Sequence, residues 1–382
     1  MTPIIPVAVS PPLSLYLHVP WCVRKCPYCD FNSHAIQGEI PEAAYLKAIL
    51  EDLDHDLDFV RGRPIESVFV GGGTPSLMSG GFYHKLFDQL RQRLTFSADA
   101  EITLEANPGT LEAGRFDSFL AAGINRLSIG VQSFQPEQLS ALGRIHDQAM
   151  AHQAIEAARS AGFDNVNIDL MHGLPGQTPE QALNDLREAL AHQPVHLSWY
   201  QLTIEPNTEF FSRPPALPDD DRLWEIYQQG GALLRASGFS DYEVSAWSLP
   251  GMESRHNLNY WRFGDYLALG AGGHGKISLA DGQILRYWKT RQPEAYLNRI
   301  GSRTAGREAI APEDRPLEFM MNALRLKEGT SEDMYLSRTG LPLSSVAVQL
   351  ERLRDKNLLS PHRIQATVLG QRYLNSLLEH FL

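Results

Sequence analysis

A chain of 382 residues, 43% hydrophobic and 21% charged with no low-complexity tract, has the composition of an ordinary folded protein, and its length allows a large α/β domain plus a smaller one. The formal net charge of -11 argues against broad phosphate-backbone binding, which needs clustered Lys and Arg, so no nucleic-acid partner is expected. All three cysteines lie between residues 22 and 29, which leaves none for a disulfide framework, and no stretch approaches the ~18 continuous apolar residues of a membrane span.

The opening MTPIIPVAVSPP has no basic region, and its prolines interrupt the apolar run before a signal helix can form. The chain therefore reads as cytoplasmic, with peripheral contact at a membrane left open. From residue 13 to about 205, short β-rich runs alternate with helical patterns. The runs are SLYLHVP (14–20), SVFVGG (67–72), EITLEANP (101–108), RLSIGVQS (126–133), NVNIDLMHGLP (165–175) and HLSWYQLTIEP (196–206). Between them, segments such as EAAYLKAILEDLDHDLDFV, LEAGRFDSFLAAG and TPEQALNDLREALAHQ carry apolar residues at helical spacing. Repeated β-α units with right-handed crossovers predict a parallel sheet. Six units are too few for an eightfold barrel, so a partial (β/α)6 barrel is expected, with its chemistry at the carboxyl ends of the strands.

Further along, PPALPDDD (214–221) reads as a connection, YLALGAGGHGKIS (266–278) as a tight strand with close backbone approach, and DGQ (281–283) as a hairpin turn. From about residue 307 helical patterns with a short β-like HRIQATV resemble a winged-helix module. The candidate recognition helix carries Glu351 and Asp355 beside Arg352 and Arg354, which favours packing or partner contact over DNA reading. The expected division is 1–205 for the barrel core, 206–306 for an extension and 307–382 for the terminal module.

The chemistry concentrates in CVRKCPYCDF (22–31). Three thiols this close suit a soft metal or an iron-sulfur cluster, yet zinc sites and cubane clusters both take four ligands. For zinc, His18 or His34 would have to complete the set, and no second cysteine pair exists. For a cluster, the open iron would be left to an exogenous molecule. Arg24 and Lys25 either offset the negative charge of such a cluster or are plain solvated loop charges.

CxxxCxxC after a first β-strand resembles the radical S-adenosylmethionine (SAM) superfamily. The resemblance implies a 4Fe-4S cluster on Cys22, Cys26 and Cys29, with SAM chelating the fourth iron. VFVGGGTPS (68–76) is similar to the superfamily's GGGTP segment, which receives the methionyl amino group. The ordered set YLHVPWCVRKCPYCDF, GGGTP, LEANP, RLSIGVQSF, LGRIH and NIDLMHGLPGQT resembles the oxygen-independent coproporphyrinogen III dehydrogenases and their relatives over nearly the whole chain. By that resemblance Tyr16, Gly72 and Glu105 contact the cluster-bound SAM. Tyr28, Gly73, Thr74, Gln132, Arg144 and Asp169 match positions that hold a second SAM in the dehydrogenases.

Two features depart from the dehydrogenases, which carry a further cysteine where this chain has Phe31; phenylalanine supplies neither ligand nor proton. The chain also begins almost directly at its first strand, without the longer extension that covers their substrate. CDF, together with HNxxYW within SRHNLNYWRFGDYLALGAGGHG (254–275), resembles instead the HemW-type heme chaperones. That group implies binding of heme and its transfer to acceptor hemoproteins such as respiratory enzymes, and it is compatible with a homodimer and with peripheral membrane association. His256 then reads either as an axial heme ligand or as a structural hydrogen-bonding residue. Tyr260 and Trp261 read as porphyrin-lining or core residues, and Arg255 or Arg262 as partners of the propionates or as packing residues. The alternatives in play are coproporphyrinogen III decarboxylation by a deoxyadenosyl radical and a zinc-dependent partner-binding protein.

Overall fold

The computed structural model describes residues 10–110 and 115–382. The expectation for residues 1–9 of the opening segment, and for the first four residues of LEAGRFDSFLAAG, lies outside the described residues. Six strands form the centre of the sheet in chain order: β1 (Leu13–Val19), β2 (Ile65–Gly72), β3 (Phe96–Ala106), β4 (Arg126–Gln132), β5 (Val166–His172) and β6 (His196–Gln201). Each lies parallel to the next, in registers such as Leu15↔Val68, Val68↔Ile102 and Ile168↔Leu197. The crossovers carry helices α1 (Glu42–Asp56), α2 (Gly80–Arg93), α3 (Arg115–Ala121), α4 (Gln148–Ser160) and α5 (Pro179–Ala191), and α6 (Asp220–Ala236) follows β6. The expected open β-α sheet is present.

β1 shows why these strands form. In LSLYLHV the residues Leu13, Leu15, Leu17 and Val19 are fully buried on the helix-covered face, while Ser14, Tyr16 and His18 turn to the polar inner face. Helix starts are equally local: Ser79 accepts from the Phe82 amide, Asp147 from Met150, and Thr178 with Gln181 makes a reciprocal capping box. The PPALPDDD connection ends where Asp219 caps α6.

Residues past 236 widen this sheet. β7 (Ser240–Asp241) and β8 (Ala246–Ser248) add antiparallel strands beyond β6, and the short helix α7 (Arg255–Trp261) carries HNxxYW. The segment expected as one tight strand is two, β9 (Asp265–Leu269) and β10 (His274–Ser278), because Gly270 and Gly272 take φ values of +92° and +85° and turn the chain between them. β9 runs parallel beside β1, with Leu15↔Leu267. β10, β11 (Ile284–Lys289) and β12 (Thr304–Ala309) continue antiparallel, and the DGQ turn joins β10 to β11 as expected. A buried ion group ties this ribbon to α1. Lys289 Nζ lies 2.7 Å from Asp52 Oδ1 and 2.6 Å from Asp56 Oδ2, and the Tyr296 hydroxyl donates to Asp52 Oδ2 at 2.8 Å.

The C-terminal part packs its own core of Phe319, Tyr335, Leu350, Leu353 and Ile364, joined by Phe263 and Ile284. Helices α8 (Arg315–Ala323), α9 (Glu332–Thr339) and α10 (Ala347–Asp355) are joined by two antiparallel bridges, Thr330↔Ile364 from the link between α8 and α9 to the segment after α10, and Leu359↔Ala366 within that segment, the element order of a winged helix. No helix among the described residues is long and apolar enough to cross a membrane.

Candidate cofactor site

The cysteine loop leaves the carboxyl end of β1 and is closed on itself. Trp21 and Cys22 pair in parallel with His34 and Ala35, Cys29 N donates to Cys26 O at 3.1 Å, and Lys25 Nζ donates to Phe31 O at 3.1 Å. Asn32 fastens it to the ribbon: its Nδ2 donates to Ala271 O at 3.0 Å and to Arg291 O at 2.9 Å, and its carbonyl lies 2.8 Å from His18 Nε2. The glycines of GAGGHG make this close approach. A Cβ at Gly272 would stand 2.1 Å from Asn32 Nδ2, and one at Gly270 2.3 Å from His18 O.

The next strand ends supply the floor. A Cβ at Gly72 (φ +116°) would meet the His18 ring at 2.7 Å, and one at Gly73 would meet Trp21 O at 2.5 Å, so the backbone is bare where it faces the cysteine loop. Gly72 N donates to Glu105 Oε2 at 3.2 Å. Gln132 ends β4 with φ +71°, a left-handed conformation that is rare for a non-glycine residue, beside a register shift, and its Oε1 accepts from the Tyr200 hydroxyl at 2.7 Å. Arg144 Nη2 donates to Gly130 O at 2.6 Å, while Nη1 lies 3.4 Å from the Tyr28 hydroxyl and 3.8 Å from Cys26 Sγ. Asp169 accepts from Asn167 Nδ2 at 2.7 Å and from the Ser128 hydroxyl at 3.0 Å.

One cavity results, lined by all three cysteines together with Tyr28, Gly72, Gly73, Thr74, Glu105, Gln132, Arg144 and Asp169. Tyr16 stands just behind this lining, its hydroxyl 2.9 Å from His18 Nδ1. Burial, then the Glu105 charge, pushes the Tyr16 phenol far up, so it is a neutral group here. Two acidic side chains face the cavity. Burial, followed by the Asp169 charge, lifts Glu105 to about 8; burial also raises Asp169, against hydrogen bonds from Asn167 and Ser128. Burial likewise raises the Cys22 and Cys29 thiols, with Lys25 opposing it at Cys29.

These residues fit the group that the sequence pattern implies. Bare glycines at strand ends admit a ligand's backbone-like amine and carboxylate, and the buried carboxyls suit a cation in their ionised form. Because Glu105 is neutral below about 8 and charged above it, the affinity for SAM, whose sulfonium is positive, is expected to rise with pH through about 8. Equilibrium dialysis between pH 6.5 and 9.5 checks this; a profile unaltered by Glu105→Gln counts against the assignment.

Of the two histidines that could complete a zinc site, His18 has both ring nitrogens engaged, by Tyr16 and by Asn32, and His34 Nε2 lies 3.3 Å from Asn32 Oδ1. Among the described residues no three His, Cys, Asp or Glu side chains are placed to hold a single metal ion.

HNxxYW is not in this cavity. α7 packs at the amino ends of β1 and β2, where Asn259 Nδ2 donates to Ser14 Oγ at 2.9 Å and His256 Nδ1 lies 3.1 Å from Ser67 Oγ. The His256 ring is 3% exposed, stacked on Phe69 with centroids 5.1 Å apart and edge-on to Tyr260 at 4.9 Å. Burial lowers its pKa to about 3, and its Nε2 has no hydrogen-bond partner. Trp261 lies under the Arg325 guanidinium at 4.4 Å. Arg255 is bound to Glu66 at 3.2 Å and to Asp99 at 2.8 Å, whereas Arg262 is exposed.

Tyr200 and Ser128 also line the cavity and were not anticipated; the alternation Ser198-Tyr200 and Ser128-Gly130 along predicted strands carries that signal. Asn32 lies in a loop, where no periodicity points to it.

Fold and cavity together define a radical SAM protein. A Radical SAM superfamily model matches residues 16–189 and a HemN C-terminal domain model matches residues 310–373. The solved structure of coproporphyrinogen III oxidase (HemN) from Escherichia coli superposes with a TM-score of 0.81 over 97% of this chain and 90% of that one; at 24% identity it shows the fold alone. Membership of this superfamily implies a 4Fe-4S cluster and SAM. More specifically, the chain is 52% identical to the heme chaperone HemW of Escherichia coli (97% of this chain, 98% of that one). It is 49% identical to its namesake in Haemophilus influenzae (97% and 98%) and 33% identical to that of Bacillus subtilis (97% and 99%). The chain belongs to the HemW family.

Proposed function

We propose that this chain is a heme chaperone, binding heme and passing it to acceptor hemoproteins, on a scaffold that holds a 4Fe-4S cluster through Cys22, Cys26 and Cys29 and SAM in the adjoining cavity. Phe31 carries the choice. It lines the cavity and is 59% exposed, at the position where the sequence resemblance implies a further cysteine in the coproporphyrinogen III dehydrogenases. A phenyl ring there supplies neither ligand nor proton, and an apolar surface suits a porphyrin handled without chemistry at its propionates. The naming of full-length relatives as heme chaperones supports the same reading.

Tyr16, Gly72 and Glu105 serve the cluster-bound SAM, and Tyr28, Gly73, Thr74, Gln132, Arg144 and Asp169, which match second-SAM positions in the dehydrogenases, line the same cavity and offer SAM further contacts there. The Arg144 guanidinium, 3.8 Å from Cys26 Sγ, would offset the negative charge of a cluster held there. When bound, the cluster and SAM supply one-electron cleavage of a sulfonium. The division into core, extension and terminal module belongs to the same reading, with residues 206–306 completing the core sheet and 307–382 available to a partner.

For His256 we favour the structural role: its ring is enclosed by Phe69, Tyr260 and Ser67. Titration of heme into anaerobically reconstituted protein is expected to show stoichiometric binding, and incubation with coproporphyrinogen III, reductant and SAM to give no protoporphyrinogen IX. Product formation overturns the chaperone reading. His256→Ala is expected to leave the heme spectrum unchanged and to lower stability by about 2–4 kcal/mol through the lost packing and hydrogen bond. A shifted Soret band instead makes His256 an axial ligand.

A further inference from the structure

A one-way chain of hydrogen-bond donors joins the HNxxYW helix to the SAM cavity. It begins at Asn257, the second residue of that motif, whose Nδ2 donates to the Tyr242 hydroxyl at 3.3 Å. The Tyr242 hydroxyl lies 2.9 Å from His196 Nε2, and His196 Nδ1 lies 2.6 Å from Asn167 Oδ1. Asn167 Nδ2 then donates to Asp169 Oδ1 at 2.7 Å.

The direction of each bond follows from the two ends. A carboxylate only accepts, so Asn167 turns its amide nitrogen toward Asp169 and its oxygen toward His196, where the Ser198 hydroxyl also donates to it at 3.1 Å. His196 therefore carries its proton on Nδ1 and offers a lone pair at Nε2, which takes the Tyr242 O–H. This tautomer needs a neutral imidazole; burial, then the Arg126 charge, lowers the His196 pKa and keeps it so. His196 and Asn167 are 0% and 1% exposed, so water does not compete for these bonds. Bonds aligned head to tail in a buried chain polarise one another, and every one here points at the Asp169 carboxylate.

We infer that Tyr242 and Asn257 are positioning residues for the SAM cavity: through His196 and Asn167 they fix the Asp169 carboxylate in the orientation that receives SAM. The inference rests on the reading of the cavity given above and adds to it a role for the HNxxYW motif that needs no heme. The motif's asparagine holds the far end of the chain, on a helix at the opposite end of the strands from the cysteine loop.

The test is equilibrium dialysis of SAM against the anaerobically reconstituted, full-length protein. Tyr242→Phe keeps the ring and removes only the hydroxyl in the chain, and it is expected to weaken SAM binding by about fivefold with iron content unchanged. Asn257→Ala at the half-exposed end is expected to act in the same direction. The double variant is expected to bind no more weakly than Tyr242→Phe alone, because the chain is broken once. Tyr335→Phe is the control, since it deletes a comparable hydroxyl, bonded to Ser345 Oγ at 2.8 Å in the terminal module. Wild-type affinity in Tyr242→Phe overturns the inference, as does equal weakening in Tyr335→Phe or additive loss in the double variant. Wild-type protein that binds no SAM overturns the cavity reading, and the inference with it.

Discussion

Cys26→Ala is expected to abolish the iron-sulfur absorbance of the reconstituted protein completely while leaving the fold in place. The loop that carries Cys26 is held by contacts that do not involve its thiol: the Trp21–His34 pairing, the Asn32 bonds to Ala271 and Arg291, and the Lys25 bond to Phe31 O. Cys26 is only half-buried and contributes little to the core. The cost to stability is therefore expected to stay within about 1 kcal/mol, as for substitutions outside the core. Absorption and electron paramagnetic resonance read the cluster; circular dichroism and thermal unfolding read the fold. A variant that keeps its iron and its spectrum removes Cys26 from the ligand set. One that loses its fold shows a structural metal site instead.

Lys289→Met is expected to cost the most stability of any substitution discussed, about 3–5 kcal/mol at neutral pH, because it strands Asp52 and Asp56 in the interior without a counter-charge. Burial already pushes Asp56 up, against the pull of Lys289. Without the lysine the folded-state pKa of Asp56 rises further above its unfolded value, so the folded variant binds more protons than the unfolded chain. The deficit is therefore full above that raised value and shrinks as pH falls through it toward the unfolded one. Urea unfolding at pH 7.5 and pH 5 tests this, and an equal deficit at both pH values contradicts it.

Much of the site was legible because its signals are local. Three cysteines at fixed spacing and a glycine run after an alternating strand need no tertiary information, and the structure brings their residues into one cavity with Glu105, Gln132, Arg144 and Asp169. Alternation in β1 likewise separates helix-facing Leu15 and Leu17 from inward Tyr16 and His18. What stayed hidden depends on distant pairing. Asn32 acquires its role only because Ala271 and Arg291 arrive beside it, and the split of YLALGAGGHGKIS into β9 and β10 depends on β1 offering β9 a parallel partner. HNxxYW is legible as a motif but silent about its place: composition shows an imidazole and two aromatic rings, whereas the fold encloses His256 against Phe69, away from the cysteines.

The parallel pairing of β9 with β1 also sets a schedule for synthesis. β1 leaves the ribosome about 250 residues before β9, the strand that flanks it on one side. At the usual 5–20 residues per second that interval is roughly 12–50 s. Throughout it the cysteine loop lacks the Asn32 anchors to Ala271 and Arg291, and the three thiols sit on a nascent chain whose outer wall has not been made. Only when the glycine turn arrives is the loop clamped.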